Sequence, residues 1–195
     1  MLKYTDTQVG FREVPDKIAL LINISGCKIH CPSCHSKYLW EDIGDPLTTQ
    51  TLDKLIKDND GINCVCFMGG EDFDAIAELA SHVNKNYSLS VAWYIGHDLI
   101  DLPWHTINQV DFLKVGPYKE ECGPLDKETT NQRLYVVSHV KGLKLDPEDG
   151  TLSMPTPKLT DITYKFWAKQ SHQEQQRHHP GQSVDLAEFQ SELAE

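Results

Sequence analysis

Five short apolar runs rich in Val, Ile and aromatic residues punctuate the first 137 residues, and what separates the early ones is helical in period. The runs are KIALLINIS (17–25), NCVCFMG (63–69), LSVAWYIG (89–96), VDFLKVG (110–116) and RLYVV (133–137). Each is bounded by turn residues and reads as a strand. Between them, TTQTLDKLIKDN (48–59) offers a Thr cap followed by Leu52, Leu55 and Ile56 on one face. DFDAIAELASHVNKN (72–86) does the same with Ile76, Leu79, Ala80 and Val83. Near-continuous apolar strands alternating with amphipathic helices imply parallel βα units covered on both faces. The expected class is therefore α/β, a parallel sheet closed or partly closed into a barrel.

In such folds loops at the C-terminal ends of the strands carry the chemistry. Four segments share that rim: SGCKIHCPSCHS (25–36) after the first strand, GGED (69–72) after the second, IGHD (95–98) after the third and GPYKEE (116–121) after the fourth. After about residue 140 the pattern loosens. KLDPEDGTLSMPTPKLTD (144–161) reads as loop, and DITYKFW (161–167) as one more strand or a short docking segment. From Ser171 onward the chain is polar and net −4, with Glu174, Asp185, Glu188, Glu192 and Glu195 against Arg177. Its end has the pattern of a short helix with Leu186, Phe189 and Leu193 on one side. The expected division is a domain over 1–170 and an acidic tail, flexible or briefly helical, over 171–195.

With 195 residues and a formal net charge of −11, from 29 acidic and 18 basic side chains, the surface repels phosphate backbones. No nucleic-acid partner is expected. No apolar run reaches the length of a membrane span, and the N-terminus lacks the basic start and apolar stretch of a signal peptide. The expected location is the cytoplasm, where six cysteines point to metal or redox chemistry more than to disulfides.

Cys27, Cys31 and Cys34 have the spacing C-x3-C-x2-C. Three readings compete. Structural zinc needs a fourth ligand, His30 or His35, and no second ligand pair completes the module; His178 and His179 lie far along the tail. Three buried structural thiols fit poorly with a loop of Gly, Pro and Ser. A four-iron cluster, held one iron per cysteine, would keep one iron open. That third reading matches the signature loop of the radical S-adenosylmethionine superfamily, which the sequence resembles. GGE at 69–71 strengthens the resemblance, although two glycines leaving a strand also make an ordinary turn.

Within the superfamily, NISGCKIHCPSCHSKYLW, VAWYIGHD, VDFLKVGPYKEE and TTNQRLYVV resemble the activating proteins of anaerobic (class III) ribonucleoside-triphosphate reductases over roughly residues 9–140. The resemblance implies a truncated, laterally open parallel (β/α) barrel and a [4Fe-4S] cluster on Cys27, Cys31 and Cys34. It implies S-adenosyl-L-methionine bound at the open iron, its methionine end on Gly69, Gly70 and Glu71. The family's small residue before the third cysteine is Ser33 here, which leaves the adenine to other groups, His35 or backbone contacts near it first; Ser33, Cys34 and His35 are the cofactor-binding candidates on this loop. No further catalytic side chain is implied beyond cluster and cofactor. The 5′-deoxyadenosyl radical formed there takes a hydrogen from a glycine in the reductase. An electron donor such as flavodoxin or ferredoxin and, in the family, association as a homodimer are also implied.

TTNQR (129–133) reads either as a polar turn or as a contact to cofactor or partner, with Arg133 as clamp. Other glycyl-radical activases, or small-molecule radical enzymes such as the deazaguanine synthases, are the enzymatic alternatives; a zinc-binding interaction module is the non-catalytic one. Cys64 and Cys66, two apart in a strand, face one side and read as core. Cys122 has no assigned role.

Overall fold

The structure, a computed structural model, describes residues 1–139 and 157–167, together with the backbone of short strands at 144–145, 152–153 and 183–185. Four parallel strands form its centre: β2 (Ala19–Ile24), β4 (Cys64–Met68), β5 (Ser90–Tyr94) and β6 (Phe112–Val115), adjacent in that order. These are the first four expected strands. β1 (Lys3–Gly10) lies antiparallel on the outer side of β2, and β3 (Asp45–Pro46) pairs with β1 beyond it. On the other side β7 (Arg133–Ser138), β10 (Lys158–Asp161) and β11 (Ser183–Asp185) follow, each antiparallel to its neighbour. β8 (Lys144–Leu145) and β9 (Leu152–Ser153) pair with each other.

Among the described residues the sheet is thus open and mixed, running from β11 to β3 with no ladder joining the two ends. The all-parallel expectation holds only for the central four strands. Parallel neighbours need a crossover, usually a helix, whereas residues 116–132 return from β6 to β7 without regular helix or strand, so β7 pairs antiparallel. β1 and β10 correct the sequence reading. β1 is largely half-exposed or exposed, KYTDTQVG, with no apolar run to announce it. β10 lies inside the stretch read as loop because Leu159 alone supplies its buried side chain. DITYKFW takes its second reading: Asp161 ends β10, and Thr163–Phe166 is a short 3-10 turn that docks on β7, Thr163 Oγ1 accepting the Leu134 N–H at 2.9 Å.

Helices cover one face. α1 (Thr49–Lys57) starts at Thr48, whose Oγ1 accepts the Thr51 N–H at 3.1 Å; α2 (Phe73–Asn86) starts at Asp72, which accepts from Ala75 N at 3.1 Å. Such caps satisfy donors the helix cannot and contribute about 1 kcal/mol each. Leu52 and Ile56 of α1 and Ile76, Leu79, Ala80 and Val83 of α2 are buried against Leu20, Ile22, Val65, Phe67 and Trp93. A third helix, α3 (Trp104–Ile107), is a single turn. On the opposite face Ala19, Leu21, Cys64, Cys66 and Ala92 form a smaller core under Val14. Tyr94 seals it by donating its hydroxyl to the Glu13 carbonyl. Cys64 and Cys66 do face the same side and are fully buried. Among the described residues no helix is long and apolar enough to cross a membrane. The helix expected at Leu186, Phe189 and Leu193, and the boundary expected at 170/171, lie outside the described residues.

Candidate metal centre

All four rim segments emerge from neighbouring parallel strands, so register alone brings them together. The cysteine loop leaves β2 after Ile24 and is pinned at its base by the Gly26 N–H to Glu41 O (3.1 Å) and the Cys27 N–H to Leu39 O (2.9 Å). Its middle bends through His30, at φ +50°, whose ring stacks on Trp40 with centroids 4.6 Å apart. Ile29 packs on Gly96, where a Cβ would come within 3.0 Å of its side chain. Cys27, Cys31 and Cys34 are free thiols and half-buried. The Cys31 sulfur accepts the Tyr118 N–H at 3.3 Å, and the Cys34 sulfur accepts the Ser36 N–H at 3.4 Å. Burial pushes the Cys27 thiol above its usual value, with Glu71 and Cys31 adding to the rise against backbone N–H groups of Ile29 and His30.

GGE sits where β4 turns into α2. Gly69 and Gly70 have φ of +109° and +103°, a region side-chain-bearing residues rarely occupy. A Cβ on Gly69 would stand 2.9 Å from Ile24 O. The Gly69 N–H donates to Tyr94 O, and its carbonyl accepts from the buried Trp93 indole, both at 2.8 Å. This strained turn leaves Glu71 one residue before the cap of α2. Its Oε2 lies 2.8 Å from His97 Nε2, while Oε1 is buried without a partner among the described residues. Phe73 holds the His97 ring edge-on, centroids 5.4 Å apart. Cys27 and Glu71 line one cavity of about 460 Å³ with Gly26, His30 and Trp40.

The remaining predicted residues stand nearby in different states. Ser33 is exposed and its hydroxyl donates to Glu120 Oε2 at 2.5 Å; His35 is exposed. TTNQR forms the turn before β7: Thr130 and Gln132 are buried, and Arg133 donates to the carbonyls of Thr130 (2.6 Å) and Gln132 (2.8 Å) while facing Asp161 at 3.6 Å. Arg133 is thus engaged with its own chain. Sequence reasoning placed IGHD on the rim but assigned His97 no role; its position at a strand end beside GGE was the available signal. It placed Tyr118 on the rim within GPYKEE without a role and missed Lys114, since a backbone N–H and a lysine inside a strand carry no motif.

The donor set fits an iron–sulfur cluster. Three thiols on one loop, two of them receiving backbone N–H bonds, suit thiolates that carry charge. Among the described residues no three His, Cys, Asp or Glu side chains converge closely enough to hold a single metal ion. Cys27, Cys31 and Cys34 could each hold one iron, and Glu71 Oε1 could accept from a cationic ligand group.

No curated protein and no solved structure matches this chain. A family described as the 4Fe-4S single cluster domain does, over residues 16–137. The matched span runs from the start of β2 through the cysteine loop, GGE and His97 to β7, more than half of the chain. This chain belongs to the 4Fe-4S single cluster domain family.

Proposed function

We propose that the protein is a radical-generating activase. It holds a [4Fe-4S] cluster on Cys27, Cys31 and Cys34, binds S-adenosyl-L-methionine beside it, and installs a glycyl radical on an anaerobic ribonucleoside-triphosphate reductase. The observation that carries this reading is Glu71. One carboxylate oxygen is fixed by His97; the other is buried without a partner among the described residues, and Glu71 lines the cavity that Cys27 also lines. Leaving a buried carboxylate oxygen unpaired is costly, on the order of 1–3 kcal/mol. An ammonium group arriving there removes that cost, and the α-amino group of S-adenosylmethionine is one. Together cluster and cofactor supply a 5′-deoxyadenosyl radical once an electron arrives from a reduced flavodoxin or ferredoxin.

What the chain's residues do follows from their placement. The positive φ of Gly69 and Gly70, where Ile24 O and Ile76 occupy the space a Cβ would need, makes the tight turn that delivers Glu71 to the rim. His97 orients Glu71, and Phe73 orients His97. The hydrogen bonds from Gly26 and Cys27 set the height of the cysteine loop above β2.

The test is anaerobic reconstitution with iron and sulfide, reduction with dithionite, and incubation with S-adenosylmethionine. About four irons and sulfides per chain and production of 5′-deoxyadenosine are expected. Added reductase should then show a glycyl radical by EPR. One zinc and no iron overturns the reading. Deoxyadenosine without a radical on the reductase moves the substrate to another glycyl-radical protein or a small molecule.

A further inference from the structure

Lys114 is the anomaly of the sheet. It lies in β6, is 8% exposed, and its ammonium donates to the Gly116 carbonyl at 3.0 Å. A buried ammonium is expensive unless negative charge faces it. The groups that act on it here are the thiols of Cys31 and Cys34; burial pushes it down to about 8, and these two push the other way.

The turn it supports is fastened from three sides. Gln132 Nε2 also donates to Gly116 O at 3.2 Å, and Asn131 Nδ2 donates to Pro117 O at 2.8 Å. Gly116 has φ +94°, and a Cβ there would stand 3.3 Å from both Asn131 O and Gln132 Cα. Its own N–H donates to His97 O at 2.8 Å. Pro117 stiffens the next step by fixing φ. The product of all this bracing is one aimed group, the Tyr118 N–H on the Cys31 sulfur at 3.3 Å.

We propose that the Gly116–Tyr118 turn, with Lys114 and Asn131 as its positioning residues, tunes the cluster by drawing its reduction potential upward. The inference rests on the cluster part of the function proposed above and not on S-adenosylmethionine. Accepting one electron makes the cluster more negative. An N–H bond to a ligating sulfur and a nearby ammonium in low dielectric both stabilise the reduced form more than the oxidised one. The conformation of TTNQR thereby gains a purpose: it holds the turn that meets the cluster loop.

The experiment is an EPR-monitored redox titration of the reconstituted full chain, with dithionite as one-electron reductant and iron and sulfide counted first. Lys114→Met keeps length and removes charge; Asn131→Ala loosens Pro117 without a charge change; Lys54→Met, on the exposed side of α1, controls for net charge. Lys114→Met should load fully and become about tenfold harder to reduce, a fall of ~59 mV for one electron. Asn131→Ala should shift the same way by less, and Lys54→Met should not move. Loaded Lys114→Met and Asn131→Ala at the wild-type potential overturn the tuning role alone. So does failure of Lys114→Met to load while Asn131→Ala keeps the wild-type potential. A wild-type chain that takes up no iron overturns the cluster reading, and the tuning role with it.

Discussion

His97 Nε2 lies 2.8 Å from Glu71 Oε2 and joins the ends of β5 and β4 across the rim of the sheet. The contact orients one oxygen of Glu71 and leaves the other buried and unsatisfied among the described residues. Glu71→Ala should therefore weaken S-adenosylmethionine binding by at least about tenfold, the scale of one hydrogen bond to a charged group, with iron per chain unchanged. His97→Phe keeps an aromatic ring against Phe73 and removes only the orienting nitrogen, so its loss should be smaller. Equilibrium dialysis with labelled cofactor reads both; unchanged affinity in Glu71→Ala removes its assigned role.

The six cysteines should divide by burial and position. Alanine at Cys27, Cys31 or Cys34 should each abolish most iron uptake. Alanine at Cys64 or Cys66 should leave iron intact and lower stability by roughly 1 kcal/mol, as small buried truncations do, and Cys122→Ser should change neither. Burial pushes the Cys64 thiol up to about 12 and Cys66 well above its usual value, so neither presents a thiolate near neutral pH. Iodoacetamide on the native iron-free chain should label the three loop cysteines and spare these two, as peptide mass mapping would show.

Gly70→Ala should destabilise the fold by roughly 1–3 kcal/mol. Its φ is +103°, and a Cβ would meet Ile76 Cδ1 at 2.6 Å. Ile76→Val in the same chain removes that methyl but keeps Cγ1, 2.8 Å from the added Cβ, so it should recover only part of the loss. Thermal unfolding of the two variants compares them; full recovery would show that the Cδ1 contact alone forbids a side chain there.

Asp111 ties β6 to its neighbours. Its carboxylate accepts the Val91 N–H at 2.8 Å and faces His139 at 3.6 Å. Burial alone would raise this carboxyl, but the bonds from His139 and Val91 outweigh it and hold the group below its ordinary value. A carboxyl lowered by folding adds stability that is fully present above its unfolded pKa, about 3.9, and lost as pH falls through its folded one. Denaturant melts from pH 6 downward should show the gap between wild type and Asp111→Ala shrinking at the acid end. A gap constant with pH would refute the assignment.

The central βα units were legible because their strands are apolar on both faces and their helices keep one clean stripe. Thr48 even marks the first cap as read. β1 and β10 were not legible, since an edge strand with exposed residues and a strand with one buried leucine carry no period. The direction of β7 was equally hidden: RLYVV is a strand by composition, and only the helix-free return over 116–132 makes it antiparallel.

Residue order by itself determined the three thiols, their spacing, and the glycines that let a backbone turn sharply after β4. These are local properties, set by a few neighbouring residues and the conformations they allow. Tertiary structure alone decided which groups face those thiols. His97 meets Glu71 across 26 positions at the ends of adjacent parallel strands, and Tyr118 meets Cys31 across 87 where loops leaving β6 and β2 reach over β5 and β4. Lys114 shows the difference most sharply. In the sequence it is a polar interruption in an apolar strand; in the fold it is a buried ammonium on the Gly116 carbonyl on which the charges of Cys31 and Cys34 act, because sheet packing sets the company a side chain keeps.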